Sequence, residues 1–287
     1  MVKINVLLVL LIAVSSCAGA RESVTLDGAW RFRMDPDNQG RTQRWHMQRL
    51  PETVQLPGTM DQNQKGDANN KRDLTMNLSR PLSYVGNAWY QRDMVIPQEW
   101  ANQHITLNLE RSKLTSVWID DQLIGRNNSL GCQQVYDLTG KVKPGKHTLT
   151  ICVDNKTKPG ESGGHQITDQ TQTNWNGIIG TMALRVDDPV WIKRVLVYPD
   201  LQEKRVRIKL TLGNITGAVA KGTIAMDASC KTNDHAHLVQ PASYSFSADS
   251  TSQTVEYIYL LGEKAFEWDE FTPNLYTLNV KLNADKH

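Results

Sequence analysis

Few side chains in this sequence are spaced for chemistry. Glu110, Glu161 and Asp169 are carboxylates, but no spacing sets any two of them up as an acid–base pair. His235-Ala-His237 puts two imidazoles on one face of a strand with no third or fourth ligand beside them, so no metal site is indicated. His165, next to Gly163-Gly164, reads as a loop histidine. No serine sits in a G-x-S-x-G elbow, which argues against a serine hydrolase. The most suggestive stretch holds Asp169, Gln172, Thr173, Asn174 and Trp175. Amides and a carboxylate suit paired hydroxyls, and an indole face suits the apolar face of a sugar ring. The alternative is structural: Trp175 fills a core and the polar groups satisfy loop backbone.

The beginning of the chain is a targeting segment. Lys3 precedes an apolar run from Val6 to Val14, which is too short to span a bilayer. Val14-Ser15-Ser16-Cys17 then resembles a bacterial lipobox, with Cys17 as the lipidated first residue. Ordinary cleavage near Ala18 or Ala20 is the competing reading. On the lipobox reading, residues 1–16 are a signal peptide. The product is then an exported lipoprotein, held to a membrane only by its lipid, in the periplasm or at the cell surface. Cys132, Cys152 and Cys230 remain, an odd number, so a full disulfide framework is excluded. A Cys132–Cys152 bridge is compatible with export, and three buried thiols are the preferred expectation.

Lys and Arg total 32 against 30 Asp and Glu, which gives no basic stripe for nucleic acid. With 39% hydrophobic and 22% charged residues, the composition is that of a globular chain. Its 8 Trp and 8 Tyr outnumber 4 Phe, a balance suited to half-wet surfaces.

These side chains must be positioned by strands. Val206, Ile208, Leu210 and Leu212 alternate with Arg205, Arg207, Lys209 and Thr211. Ile105, Leu107 and Leu109, and then Leu149, Ile151 and Val153, alternate with polar or small neighbours in the same way. Arg205, Arg207 and Lys209 are then a solvated strand face, while Trp30 and Trp118 are expected in the core. Thr42–Leu50 and Pro97–Asn102 offer a helical turn or two at most. Gly58–Leu74 and Lys156–Asn176 are long polar connections. Asp187-Asp188-Pro189 marks a boundary, giving domains 23–188 and 189–287, the second with the strand count of an immunoglobulin-like sandwich.

The ordered motifs resemble the amino-terminal part of glycoside hydrolase family 2, the β-galactosidase, β-glucuronidase and β-mannosidase group. Leu26-Asp27-Gly28-Ala29-Trp30-Arg31-Phe32 is similar to the family's opening, and Leu56-Pro57-Gly58-Thr59-Met60 to its LPG loop. Ala88-Trp89-Tyr90-Gln91-Arg92 resembles its Trp-Tyr strand, and Val117-Trp118-Ile119 through Gly125 its central hairpin. Tyr136-Asp137-Leu138-Thr139, Trp175-Asn176-Gly177-Ile178 and Pro273-Asn274-Leu275-Tyr276-Thr277-Leu278 follow in the family's order. One local departure is Gly180, where the family commonly has Arg.

The resemblance implies an all-β chain: a galactose-binding-like jelly-roll sandwich, then an immunoglobulin-like one. It also implies retaining hydrolysis of terminal β-linked sugars, β-galactosidase-like, by a TIM barrel that this sequence does not contain. Such chemistry needs two carboxylates roughly 5–5.5 Å apart, both on the barrel. No catalytic residue and no cofactor are therefore expected here. The expected partners are carbohydrate and a family 2 catalytic barrel, with Asp169, Gln172, Asn174 and Trp175 as substrate-binding candidates. In the family the loop bearing them can reach toward the barrel, so Gln172 and Asn174 are expected to point outward with Trp175 as anchor. A stand-alone carbohydrate-binding surface lipoprotein without hydrolase activity is the alternative.

Overall fold

The computed structural model describes residues 22–69, 80–157, 174–232, 235–249 and 252–285. Its strands through Asp187 are β1 (Glu22–Thr25), β2 (Gly28–Asp35), β3 (Glu52–Leu56), β4 (Gly58–Thr59), β5 (Asp67–Ala68), β6 (Leu82–Ser83), β7 (Asn87–Ile96), β8 (His104–Ser112), β9 (Leu114–Ile119), β10 (Gln122–Asn127), β11 (Gln134–Asp137), β12 (Gly145–Asp154) and β13 (Gly177–Asp187). Then come β14 (Val190–Asp200), β15 (Arg205–Asn214), β16 (Ala220–Thr232), β17 (His235–Leu238), β18 (Ala242–Ala248), β19 (Ser252–Leu260) and β20 (Tyr276–Ala284). The helical content among the described residues is two single 3₁₀ turns, Trp45–Met47 and Gln98–Trp100. Both fall inside the stretches read as short helical turns.

The first sandwich pairs a six-stranded sheet, β10-β9-β12-β7-β2-β3, with a sheet ordered β1-β13-β8-β11 that also carries β4 on β13. All pairings are antiparallel, and period-two alternation sends one side of each strand inward. Trp30, Phe32, Tyr90, Leu107, Leu149, Ile151 and Ile178 fill the space between the sheets. The second sandwich sets β14-β15-β19 against β17-β16-β18, with β20 also on β16. Its core includes Ile208, Leu210, Leu212, Ile224, Phe246 and Tyr259. Arg205, Arg207 and Lys209 lie on the opposite side of β15, where Arg207 and Lys209 share Glu256 at 3.7 and 3.2 Å.

Two core expectations change. Trp118 is buried, but it points away from the inter-sheet core that holds Val117 and Ile119. It joins Trp89 and Cys152 on the outer face of the six-stranded sheet, under Trp45 and Leu50 from the 36–50 connection. Trp89 donates its indole N–H to Asp35 at 2.9 Å, and a side chain at Gly40 would collide with its ring, so the connection lies tight on the sheet. Three buried thiols are not observed either: Cys152 and Cys230 are buried, Cys132 is exposed, and none of the three forms a disulfide. Cys132 follows Gly131 in the polar link from β10 to β11, where no sheet covers it.

Candidate functional site

The residues flanking the suggestive loop converge at one end of the first sandwich. Gly177 opens β13 with φ of 137°, and a Cβ there would collide with the backbone of Gly58 on the neighbouring β4. Only glycine accepts both the torsion and the contact. Ser112 donates its hydroxyl to the Gly177 carbonyl at 3.0 Å, which ties the end of β8 to the same corner.

Asn176 is the keystone of the corner. Its carbonyl oxygen accepts from Tyr90 Oη at 2.9 Å, and its amide donates to the carbonyls of Val153 and Gly86 at 3.1 and 3.2 Å. Asn155 adds a second cross-link: it accepts from the Gly86 N–H and donates to the Tyr84 carbonyl, both at 2.8 Å. Buried amides with both ends engaged fix backbone rather than bind ligand. Neither residue was singled out as a side-chain role from sequence, although Asn176 lies inside the Trp-x-Gly-Ile stretch.

Asn174 and Trp175 come next. The structure places Asn174 in a buried position, not pointing outward as expected, and the Arg80 guanidinium donates to its backbone carbonyl. Trp175 is half-buried, and its ring faces the Lys113 ammonium 4.8 Å away. Lys113 is itself buried; that burial, with the nearby Arg80 charge, lowers its pKa to about 8. The carbonyl of Lys113 accepts from Gln134 Nε2 at 2.8 Å. Asp169, Gln172 and Cys17, like Glu161 and His165, lie outside the described residues. The site thus comprises an indole, an ammonium and a guanidinium grouped by segments far apart in sequence. Such groups can orient hydroxyls or a carboxylate.

Several described carboxylates are already engaged. Asp93 accepts both guanidinium nitrogens of Arg31 at 2.6 and 2.7 Å, which pulls its pKa down to about 2. Asp35 accepts from the Gln39 and Gly40 N–H groups and from Trp89. Glu110 accepts from the Thr181 N–H at 2.7 Å, and this bond lowers its pKa. The departure at Gly180 has a backbone reason. The residue sits at a register shift between Ile179 and Met182 with φ of 74°, which favours glycine, and a Cβ there would require the Glu110 carboxylate to shift. Among the described residues no three His, Cys, Asp or Glu side chains gather as metal ligands, and no helix is long and apolar enough to cross a membrane.

At its far end the first sandwich meets the second across a cleft. His104 on β8 lies flat against Trp191 on β14, with ring centroids 3.7 Å apart, and its Nδ1 is 3.3 Å from Asp187 Oδ2. The indole also packs on Gly213, its partner in the β14–β15 register, where a Cβ would overlap the ring. The Ile215 N–H donates to the Pro189 carbonyl at 2.9 Å, closing the turn between the sandwiches.

Comparison with known proteins agrees with this architecture. Residues 24–187 match the family described as glycosyl hydrolases family 2, sugar binding domain, and residues 190–287 match glycosyl hydrolases family 2. A β-glucuronidase of Paenibacillus borealis is 28% identical over 137 residues, 47% of this chain and 21% of that protein. The β-glucuronidase of Rattus norvegicus is 27% identical over 153 residues, 49% of this chain and 22% of that protein. Among solved structures, a calcium-binding mutant of Bacteroides uniformis β-glucuronidase 2 superimposes with a TM-score of 0.70 at 18% identity, over 93% of this chain and 32% of that one. A Ruminococcus gnavus β-glucuronidase in complex with D-glucaro-d-lactam gives 0.63 at 17% identity, over 92% and 43%. The matched region is about a fifth of the curated relatives' length. The chain belongs to glycoside hydrolase family 2.

Proposed function

We propose that this chain is the non-catalytic amino-terminal portion of a retaining family 2 glycosidase, and that the parent enzyme acts on terminal β-linked glucuronides rather than β-galactosides. The observation that carries the reading is the pair of family matches, 24–187 and 190–287, together with relatives named β-glucuronidase. In this reading the two sandwiches hold a catalytic barrel that supplies the carboxylate pair. Asp169 and Gln172 are the residues this reading assigns to sugar binding in the assembled enzyme, beside the corner of Arg80, Lys113 and Trp175.

The test is to join the chain to a family 2 catalytic barrel and assay aryl β-glucuronide and aryl β-galactoside side by side. We expect glucuronide turnover with retention by the joined protein and none by the chain alone. Galactoside preference overturns the substrate; turnover by the chain alone overturns the non-catalytic role. Lipid anchoring at Cys17 in an exported bacterial protein belongs to the same proposal. It is read by mass spectrometry of the amino-terminal peptide, where an unmodified Cys17 or its loss with the leader would refute it.

A further inference from the structure

We propose that the cleft between the two sandwiches is a second carbohydrate site, one that takes a uronate-bearing oligosaccharide; the choice of a carboxylate-bearing sugar rests on the glucuronide reading above. The cleft has a volume of about 790 Å³, within the range of small-molecule sites, and such sites favour domain junctions. Its floor is the outer face of β8 and β13. Alternation gives that face polar residues, yet Thr106 and Asn108 are only 7% and 3% exposed. Asn108 donates its amide to Thr106 Oγ1 at 2.8 Å, and its carbonyl oxygen has no protein partner among the described residues.

The charge pattern selects the ligand. Arg185 lies opposite Thr106 in the β13–β8 register, and Lys193 faces it from the second sandwich. Neither has an ion-pair partner among the described residues. The cleft also holds two carboxylates: Asp187, 3.3 Å from His104 Nδ1, and Asp137, which accepts from the Thr139 N–H at 2.9 Å. Two cations without ion-pair partners, beside the Thr106 hydroxyl and the Asn108 carbonyl oxygen, match a sugar carboxylate flanked by ring hydroxyls. Trp191 contributes a wall, with His104 stacked on its ring.

The test is calorimetric titration of the full chain with a glucuronic-acid-substituted xylotriose, with neutral xylotetraose as control. We expect the acidic probe to bind at least about tenfold tighter, with Arg185→Ala removing that advantage and Arg185→Lys retaining part of it, as for a charge-assisted hydrogen bond. Amide chemical-shift mapping on the unaltered chain keeps the proposal testable if Arg185→Ala misfolds; changes should centre on Thr106, Asn108, Arg185 and Lys193. Equal binding of the two probes, no binding at about 10 mM, a level at which even millimolar affinity is visible, or shifts centred elsewhere overturns it. The titration involves no turnover, so it succeeds or fails separately from the glycosidase assay.

Discussion

The imidazole of His104 and the indole of Trp191 lie parallel within 14°, one from each sandwich, with centroids 3.7 Å apart. A stacked aromatic pair contributes about 0.5–1.5 kcal/mol beyond its buried area. It is also a direct side-chain tie between the two cores. Trp191→Ala should therefore uncouple them. We expect one calorimetric transition in the parent chain to separate into two, and small-angle scattering to report a larger radius of gyration. A single unchanged transition would place the coupling elsewhere.

Gly177→Ala should be among the most damaging single-methyl changes in the first sandwich. It asks alanine to adopt φ of 137° while its Cβ overlaps Gly58. Positive-φ strain and overpacking together should cost on the order of 3 kcal/mol. Urea denaturation measures the loss; Gly131→Ala, where a Cβ meets nothing within 4 Å, is the matched control and should be close to neutral.

Lys113 makes stability depend on alkaline pH. Its pKa falls from 10.5 to about 8 on folding, first through burial and then through Arg80. Between these two values the unfolded chain holds the proton more tightly, so stability rises with pH. Below pH 8 both states are charged and the folded state bears the full desolvation cost. Relative to Lys113→Met, the parent chain should gain stability from pH 8 to 10.5, read from urea midpoints across that range. A parallel profile for the two proteins would contradict the shift.

Thiol reactivity should separate the cysteines. In a Cys17→Ser variant we expect one fast-reacting thiol in the native state, Cys132, and three after denaturation. Burial raises the Cys152 pKa to about 12, so it lacks both access and thiolate. Native labelling of Cys152 would show that the covering connection opens readily.

The strands were legible because a half-buried strand must alternate. The apolar positions of β8, β12 and β15 could be read directly and fill the two cores. What covers the other face of a strand is not written in the strand. Trp118 and Cys152 alternate out of the main core, and only the folded connection bearing Trp45 and Leu50 shows that they are buried as well. The candidate site was partly legible for the same reason. Thr-Gln-Thr-Asn reads as polar tip, but Asn174 is enclosed in a corner to which Arg80 comes from 94 residues away. Asn176 looked like a motif letter; its role appears only when Tyr90, Gly86 and Val153 surround its amide. Gly180 was visible as a departure, but the positive φ that favours glycine there belongs to the folded backbone.

The small aromatic layer outside the six-stranded sheet has a consequence for how water reaches the protein. Because of it, β12 is covered on both sides: Leu149, Thr150, Ile151, Cys152 and Val153 are all at most 1% exposed. β12 is also paired along both edges, to β7 and to β9. An amide in such a place has no shallow opening to use and exchanges its hydrogen only when the whole sandwich comes apart. The exchange rate in the middle of β12 therefore serves as a built-in clock for global unfolding of the first domain, while the single-faced strands at the sheet edges keep faster, local time.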